Sequence, residues 1–274
     1  MTLTFNRSAD EAALAANRIF PMLPHKGGLQ DVPDFGLCGT CPVCGEISKF
    51  GGFTLNERES GTCSRCGSIN RQRQIATVIR ALLNLQETTP LALESTCRVF
   101  NTESKGALHD ALSQSSFYTC SEYFGDGVEP GGYVDGVMNQ DLQNLTFGDD
   151  AFDLVVSSEV LEHMPRPYDA HREIFRILRS GGRHVFTVPF YPWEALDQVR
   201  AVQRDNEIEY LEEPMYHEDP VKPESGILVW NIFGLQMLVE LERIGFKTSY
   251  WNLYDPSKGI IGPWSIVFEA RKPG

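Results

Sequence analysis

Residues 141–189 read DLQNLTFGDDAFDLVVSSEVLEHMPRPYDAHREIFRILRSGGRHVFTVP, and this stretch decides the fold. Its segment AFDLVVSS, residues 151–158, is nearly continuously apolar, which is typical of a parallel strand covered on both faces. The helical segment 169–178 presents an apolar stripe of Ile174, Phe175, Ile177 and Leu178. The glycine pair 181–182 is expected to end this helix, and RHVFTVP predicts the next strand. Together they predict a right-handed crossover in an α/β sheet, which binds ligands beyond the carboxyl ends of its strands.

The charge of the chain is negative and unevenly distributed. The chain has a formal net charge of -13. Its 274 residues are enough for one large domain and a small module. Residues 1–90 contain 9 Lys and Arg against 8 Asp and Glu, and the remainder contains 15 against 29. An acidic main domain repels phosphate backbones, so the charge disfavours a nucleic-acid substrate and permits a small molecule.

Two CxxC pairs, Cys41 with Cys44 and Cys63 with Cys66, are separated by 18 residues, a spacing typical of a four-cysteine zinc site. Two disulfides or buried free thiols are the alternatives. The N-terminus lacks the features of a signal peptide, and no apolar run of about 18 residues occurs, so we expect a cytoplasmic protein with reduced thiols and no membrane segment. Cys38 also precedes Cys41 by three residues, but the matched knuckles CPVCG and CSRCG favour Cys41 as the ligand.

Two helices are predicted around this cysteine region. Ser68 is expected to cap a helix that packs the cysteine module onto the main domain. Its apolar stripe consists of Ile75, Val78, Ile79, Leu82 and Leu83. Arg71 and Arg73 fall in its first turn, where they oppose the helix dipole, so they require an acidic partner or an acidic ligand. Upstream, Ser8 and Glu11 have the spacing of a capping box before a second helix, AALAANRIF.

The segments DLQNLTF, FDLVVSSEVLEH and AHREIFRILRSGG resemble the S-adenosylmethionine-dependent class I methyltransferases of the type 11-like group. The resemblance extends over roughly residues 38–270 and is strongest to a bacterial subgroup with an N-terminal zinc ribbon. It implies an α/β, Rossmann-like seven-stranded sheet with an antiparallel C-terminal strand, S-adenosyl-L-methionine as cofactor and structural Zn²⁺. The implied domains are an N-terminal helical arm at 1–36, the zinc ribbon and connecting helix at 37–90, and the methyltransferase domain at 91–274.

Candidate cofactor residues follow the first two strands of this domain. The first strand, residues 97–101, leads into the turn NTESKG, where Glu103 and Gly106 are the candidates for the methionine half of the cofactor. Most class I methyltransferases have an acidic residue followed by GxGxG here, so this turn departs from the pattern. Glu122 ends the strand SFYTCSEYF, where its carboxylate can accept hydrogen bonds from both ribose hydroxyls. The alternative for Glu122 is an ordinary exposed glutamate.

Further cofactor residues are expected after the third and fourth strands. Asp141 follows the third strand, roughly GYVDGVMNQ, and resembles the aspartate that accepts the adenine amino group. Leu142 is then expected beside the adenine ring. Ser158 and Glu159, at the end of the fourth strand, are expected to line the methionine side. At the C-terminus, NIFGLQMLVELERIGF predicts a helix, and KTSYWNLY with WSIVFEARK predicts the final hairpin.

The insertion at residues 190–230 is the predicted substrate pocket and lid, because it is long and rich in aromatic residues. The candidate catalytic residues are His217, Tyr216 and His163. His217 could accept a proton from the acceptor, since the pKa of histidine is near neutral; its alternative role is to anchor the loop. His163 could equally be a packing histidine. Methyl transfer requires mainly that the acceptor be held in line, so a dedicated base is not essential.

The sequence therefore predicts an S-adenosylmethionine-dependent methyltransferase that acts on a small-molecule acceptor. A sugar, a glycan precursor or a secondary metabolite would fit, with methylation on O, N or C. One alternative is an RNA or protein methyltransferase that docks through the zinc ribbon. The other is a non-catalytic scaffold that keeps the fold, an alternative raised by the altered NTESKG turn. The sequence predicts no oligomeric state.

Overall fold

The computed structural model describes residues 2–5, 27–93, 96–125, 127–205, 207–217, 226–263 and 265–274. The N-terminal helix predicted within AALAANRIF, together with its capping pair Ser8 and Glu11, lies outside these residues. Among the helices of the described segments, none has the length and apolar composition that crossing a bilayer requires.

The described segments contain short strands and four α-helices. In chain order they are β1 Thr2–Phe5, β2 Leu37–Thr40, β3 Ile47–Gly51, β4 Thr62–Cys63, α1 Asn70–Leu83, β5 Arg98–Asn101, α2 Ala107–Leu112, β6 Phe117–Glu122, β7 Tyr133–Val134, β8 Val137–Asn139, β9 Phe152–Ser158, α3 Pro167–Ile177, β10 Leu178–Thr187, β11 Gln198–Val199, β12 Ala201–Arg204, β13 Glu207–Tyr210, β14 Tyr216–His217, β15 Ile227–Leu228, β16 Asn231–Ile232, α4 Gln236–Ile244, β17 Lys247–Asn252 and β18 Ile266–Arg271.

One large mixed sheet contains nine of these strands, in the order β1, β17, β18, β10, β9, β5, β6, β8 and β7. The five strands from β10 to β8 run parallel to one another. β18 is antiparallel to β10 and to β17, between which it lies. The seven strands from β17 to β8 therefore reproduce the predicted sheet with its antiparallel C-terminal strand. β1 and β7 add one antiparallel strand at each edge, beyond the seven that were predicted.

Helices cover both faces of this sheet. α1 and α2 share a buried apolar cluster with one face, whose members include Ile75, Val78, Ile79, Leu108, Val99, Val156 and Val267. α3 and α4 share the other cluster, whose members include Ile174, Ile177, Leu238, Leu241, Phe100, Phe186 and Phe268. Each such buried side chain contributes about 1.5–3 kcal/mol relative to an exposed one, so both clusters anchor the parallel strands. The site at the strand ends is thus built on a rigid layer.

The predicted third strand, GYVDGVMNQ, is a hairpin rather than one strand. Asp135 and Gly136 both have positive φ, 48° and 83°, as a two-residue Asp-Gly turn requires. This turn folds β7 back antiparallel onto β8. Only β8 is parallel to β6. The parallel strand that leads to Asp141 therefore has three residues instead of the nine that were predicted.

Two predicted helix ends are wrong because strand pairing overrides the local pattern. α3 ends at Ile177, and the next residue, Leu178, already pairs with Phe152 of β9. Gly181, with φ of 81°, lies inside β10 rather than at the end of the helix. α4 begins at Gln236, five residues later than predicted, because β16 pairs with β11 in a separate two-stranded sheet.

The cysteine region forms its own three-stranded antiparallel sheet, in which β3 pairs with β2 and with β4. Each CxxC turn closes in the same way: the Gly45 N–H donates to the Cys41 carbonyl at 2.8 Å, and the Gly67 N–H donates to the Cys63 carbonyl at 3.0 Å. Both glycines have φ of 76°, the left-handed region that favours glycine. The two knuckles are therefore matched in backbone as well as in sequence.

These two glycines differ in their surroundings, and this difference predicts unequal costs of substitution. A Cβ on Gly45 would lie 2.4 Å from the carbonyl of Thr89, whereas a Cβ on Gly67 meets nothing within 4 Å. We expect Gly67→Ala to lose about 1 kcal/mol of unfolding free energy through its left-handed backbone. Gly45→Ala should lose about 1–3 kcal/mol more through overlap. Urea unfolding of the two variants measures the difference, and equal losses would show that Thr89 moves freely.

Candidate functional site

The carboxyl ends of β5, β6, β8 and β9 lie side by side at one edge of the large sheet, since these strands are parallel. The seven predicted cofactor residues all lie at or just after these ends: Glu103, Gly106, Glu122, Asp141, Leu142, Ser158 and Glu159. α/β sheets bind their ligands at this edge. The site therefore begins with the turns that follow these four strands.

Polar groups in the turn after β5 are buried without partners. Oδ1 of Asn101, Oγ1 of Thr102 and Oε2 of Glu103 make no hydrogen bond within the described part of the chain. Burial raises the pKa of Glu103 to about 7, although the nearby Arg71 opposes this shift. Gly106, with φ of 89°, begins α2 in a conformation that favours glycine. Because buried polar groups normally find partners, the turn is suited to a ligand that supplies them.

Glu122 lies beside this turn at the end of β6. Its Oε1 accepts hydrogen bonds from the backbone N–H and the hydroxyl of Ser104, both at 2.9 Å. Asp141, after β8, accepts the N–H of Gln143 at 2.8 Å and so forms a local turn. The Leu142 side chain is buried in the apolar cluster of α3 and α4. The Glu122 and Asp141 carboxylates thus lie at the strand-end edge of the sheet, whereas the Leu142 side chain is part of the hydrophobic core.

Two arginines of the cysteine module reach the same edge. Arg71 forms an ion pair with Glu59 at 2.6 Å, lies 3.9 Å from the Glu103 carboxylate and contacts the Ser158 hydroxyl. Arg58 pairs with Glu159 at 2.6 Å. Arg71 was predicted only to need an acidic partner or ligand, and Arg58 was not predicted at all. Their position depends on how the module docks, which no local pattern encodes.

Ser68, the predicted helix cap, contacts sulfur instead. Its hydroxyl lies 3.4 Å from Sγ of Cys41 and 3.2 Å from Sγ of Cys66. Ile69 occupies the cap position, and its N–H donates to the Gln72 side chain at 3.2 Å. The helix thus begins one residue later than predicted and places Ser68 over the cysteines.

The sulfur atoms of Cys41, Cys44, Cys63 and Cys66 lie within 4.8 Å of one another. Hydrogen bonds from Cys66 and Ser68 lower the pKa of Cys41 to about 4, although burial opposes this shift. Cys38 is exposed and does not belong to the group. Four sulfurs at this separation could hold one metal ion, and four thiolates are the donor set that closed, structural zinc sites use.

Two of the predicted catalytic histidines meet at a buried carboxylate. The Glu162 side chain is fully buried, and its Oε1 lies 3.6 Å from Nε2 of His163 and 3.6 Å from Nδ1 of His217. The two imidazole rings stand perpendicular with centroids 5.1 Å apart. Burial raises the pKa of Glu162 to about 7, and the Glu162 carboxylate raises the pKa of His217.

Tyr216 was predicted as a catalytic residue but lies away from this cluster, whereas Glu162 was not predicted and lies within it. Tyr216 precedes His217 on β14 and remains exposed at its side chain, so the structure does not bring it to the carboxylate. Glu162 was not predicted as a catalytic or cofactor residue, although it lies at the centre of the cluster. The Glu-His pair directly after a buried strand end was the available signal for it.

Comparison with known proteins gives a methyltransferase match. Residues 122–186 match the family model described as "Methyltransferase domain". The chain is 30% identical over 141 residues to the sterol 24-C-methyltransferase of Yarrowia lipolytica, covering 51% of this chain. It spans only 31% of the length of that curated relative.

Solved structures with a similar arrangement include two methyltransferases. An S-adenosylmethionine-dependent methyltransferase from Mesorhizobium loti is 17% identical with a TM-score of 0.44, over 73% of this chain and 98% of that one. The 1,6-didemethyltoxoflavin-N1-methyltransferase of Burkholderia thailandensis is 16% identical with a TM-score of 0.40, over 74% of this chain and 79% of that one. The family match and the strand order together confirm the predicted class I methyltransferase fold. Residues 122–186 thus correspond to part of a methyltransferase domain.

Proposed function

We propose that the chain is an S-adenosyl-L-methionine-dependent methyltransferase that acts on a small-molecule acceptor, such as a sugar, a glycan precursor or a secondary metabolite. One observation supports this most strongly: buried polar groups without partners, in the turn after β5, lie beside the Glu122 carboxylate within a methyltransferase domain. The proposed catalytic part is residues 91–274, and residues 37–90 form the proposed zinc ribbon with its connecting helix.

The residues at the strand ends fit the cofactor in their chemistry. Glu122 would accept the ribose hydroxyls, and Asp141 would accept the adenine amino group. Glu103, Gly106, Ser158 and Glu159 would surround the methionine half. Arg71, which already contacts Ser158, would attract the cofactor carboxylate. Among these groups, Oε2 of Glu103 is buried without a hydrogen bond within the described residues, and the cofactor would supply its partner.

When bound, S-adenosylmethionine supplies a methyl group on a positively charged sulfur. The protein contributes binding and orientation, because holding the acceptor in line can account for much of the acceleration. We propose that His163 and His217 contact the acceptor group. β14 supplies His217 from the insertion, which therefore forms part of the acceptor pocket. The acidic main domain supports a small acceptor rather than RNA.

We propose that the four-cysteine group binds one structural Zn²⁺. A tetrathiolate site has no open position, so its role is to stabilise the ribbon. A cytoplasmic location agrees with this proposal, since thiols remain reduced there. The ribbon in turn holds Arg58 and Arg71 at the strand ends.

Calorimetry with S-adenosylmethionine tests the proposed function. We expect the zinc-loaded protein to bind the cofactor and Glu122→Ala to bind it at least about tenfold more weakly, because hydrogen bonds to a charged group are each worth about 1.5–3 kcal/mol. Glu129→Ala, which removes an exposed glutamate, is the matched control and should bind normally.

Three results would count against this function. If the wild-type protein does not bind the cofactor, the scaffold alternative replaces the enzyme. If Glu122→Ala binds as tightly as wild type, the ribose does not lie at Glu122. Salt-sensitive retention of RNA by the zinc-loaded protein would favour an RNA acceptor.

A further inference from the structure

Glu162, His163 and His217 have the separations of ligands that share one metal ion. One carboxylate oxygen and one nitrogen from each imidazole all lie within 4.8 Å of one another, and both nitrogens lie 3.6 Å from Oε1 of Glu162. Donor atoms that bind one ion at about 2.0–2.2 Å are about 3 Å apart, so a small contraction suffices. At 3.6 Å each imidazole nitrogen is within ion-pair distance of the carboxylate but beyond normal hydrogen-bonding distance.

The Glu162 carboxylate requires a positive partner. Its side chain is fully buried, and both of its oxygens lack a hydrogen bond within the described residues. Arg58, which reaches the end of β9 from the cysteine module, pairs with Glu159 instead. A buried carboxylate without hydrogen bonds is strongly unfavourable unless a cation or a metal ion compensates it.

His163 is already oriented for this role. Its Nδ1 lies 2.9 Å from the Leu228 carbonyl, to which it must donate, so in the neutral imidazole the lone pair is on Nε2, the nitrogen nearer Glu162. Histidines that bind metal ions usually donate their other N–H in this way. Leu228 belongs to β15, whose partner β14 supplies His217. One pair of short strands therefore positions both imidazoles over Glu162.

We propose that Glu162, His163 and His217 bind a divalent transition-metal ion such as Mn²⁺ on the acceptor side of the site, separate from the four-cysteine group. Two imidazoles and one carboxylate occupy three positions and leave the others to water or to an acceptor. This composition differs from the closed set of four thiolates, which suits structural zinc.

The role of the ion in catalysis rests on the proposed function. An ion at this position would bind an acceptor hydroxyl and lower its pKa, so that the hydroxyl proton leaves to solvent. The resulting oxygen forms its bond to the methyl carbon as the bond between that carbon and sulfur breaks, and the electron pair of the broken bond remains on sulfur. The imidazoles then contact the acceptor through the ion, and oxygen is the favoured acceptor atom.

Titration of the full-length, zinc-loaded protein with Mn²⁺, followed by electron paramagnetic resonance and calorimetry, tests this site. We expect one Mn²⁺ per chain, and at least about tenfold weaker binding in His217→Ala and in Glu162→Gln. His109→Ala is the matched control, because His109 is a half-buried histidine that contacts Tyr118 elsewhere. Thermal unfolding and zinc content of each variant verify its folding, and His217, which is partly exposed, is the safer substitution.

The outcomes separate this site from the proposed function. Failure of wild type to bind Mn²⁺, or equal binding by a folded His217→Ala, overturns the metal site. If the wild-type protein binds S-adenosylmethionine but no Mn²⁺, the methyltransferase proposal stands without the ion. If the wild-type protein binds Mn²⁺ but no S-adenosylmethionine, the metal site stands and the proposed function fails.

Discussion

The Cys63→Ser variant is expected to lose its zinc and to unfold about 10 °C or more below the wild-type protein. Cys63 is buried and belongs to the group of four sulfurs that lie within 4.8 Å of one another. Structural zinc binding is worth about 10–16 kcal/mol in isolated zinc-finger peptides, so losing one of four thiolates removes a large part of the stability of the ribbon. Metal analysis of freshly purified protein and thermal unfolding measure the two effects.

Cys38→Ser is the matched control for this substitution. Cys38 lies three residues before Cys41, is exposed, and does not belong to the sulfur group. The control should therefore retain one equivalent of zinc and the wild-type unfolding temperature. If Cys38→Ser loses the metal and Cys63→Ser keeps it, the four-cysteine assignment is wrong. If wild type contains much less than one equivalent, the ribbon does not bind zinc.

The parts of the fold that could be predicted are those in which local pattern and tertiary contacts agree. β9 coincides with the apolar run within residues 151–158, because a strand covered on both faces is apolar at most of its positions. α1 follows its apolar stripe for the same kind of reason. The matched cysteine knuckles also follow from sequence, since a CxxC pair followed by glycine specifies the same tight turn at both places.

The wrong predictions depend on partners that are distant in the chain. The helix expected from Asn231 starts later because Asn231–Ile232 pairs with Gln198–Val199, more than thirty positions upstream. Ser68 does not cap its helix, because its hydroxyl contacts the sulfurs. In both cases the local pattern favoured the predicted helix start, and a contact with a distant part of the chain replaced it.

The residues of the candidate site also fall into those that a local pattern predicts and those that depend on the tertiary fold. The position of Glu122 and Asp141 at the strand ends could be predicted from sequence, because the carboxyl ends of parallel strands meet at one edge. Arg71 and Glu162 could not be assigned. The position of Arg71 depends on the docking of the ribbon, and the importance of Glu162 depends on the complete burial of its carboxylate. Burial of a charged group is a property of the whole fold and has no local pattern.

Arg73 is expected to be the most costly single side chain to replace outside the cysteines. It is fully buried in α1, where its guanidinium donates to the carbonyls of Ser68, Gly61 and Gly259 and lies 4.7 Å from the centre of the Phe50 ring. Burial lowers its pKa to about 10, while the nearby cysteine thiolates favour the charged form. Arg73 therefore remains charged at neutral pH and joins the ribbon to the turn after β17.

Arg73→Met should lower the free energy of unfolding by roughly 2–5 kcal/mol, because the carbonyls of Gly61 and Gly259 lose the guanidinium donor and each unpaired group costs about 1–3 kcal/mol. The Ser68 carbonyl still accepts the N–H of Cys63. Arg65→Met is the matched control: Arg65 lies in the second knuckle but is exposed, so its loss should be within about 0.5 kcal/mol of zero. Urea unfolding of both variants, with zinc bound, measures these changes. Similar small losses for the two arginines would mean that water replaces the guanidinium and that the ribbon docks without it.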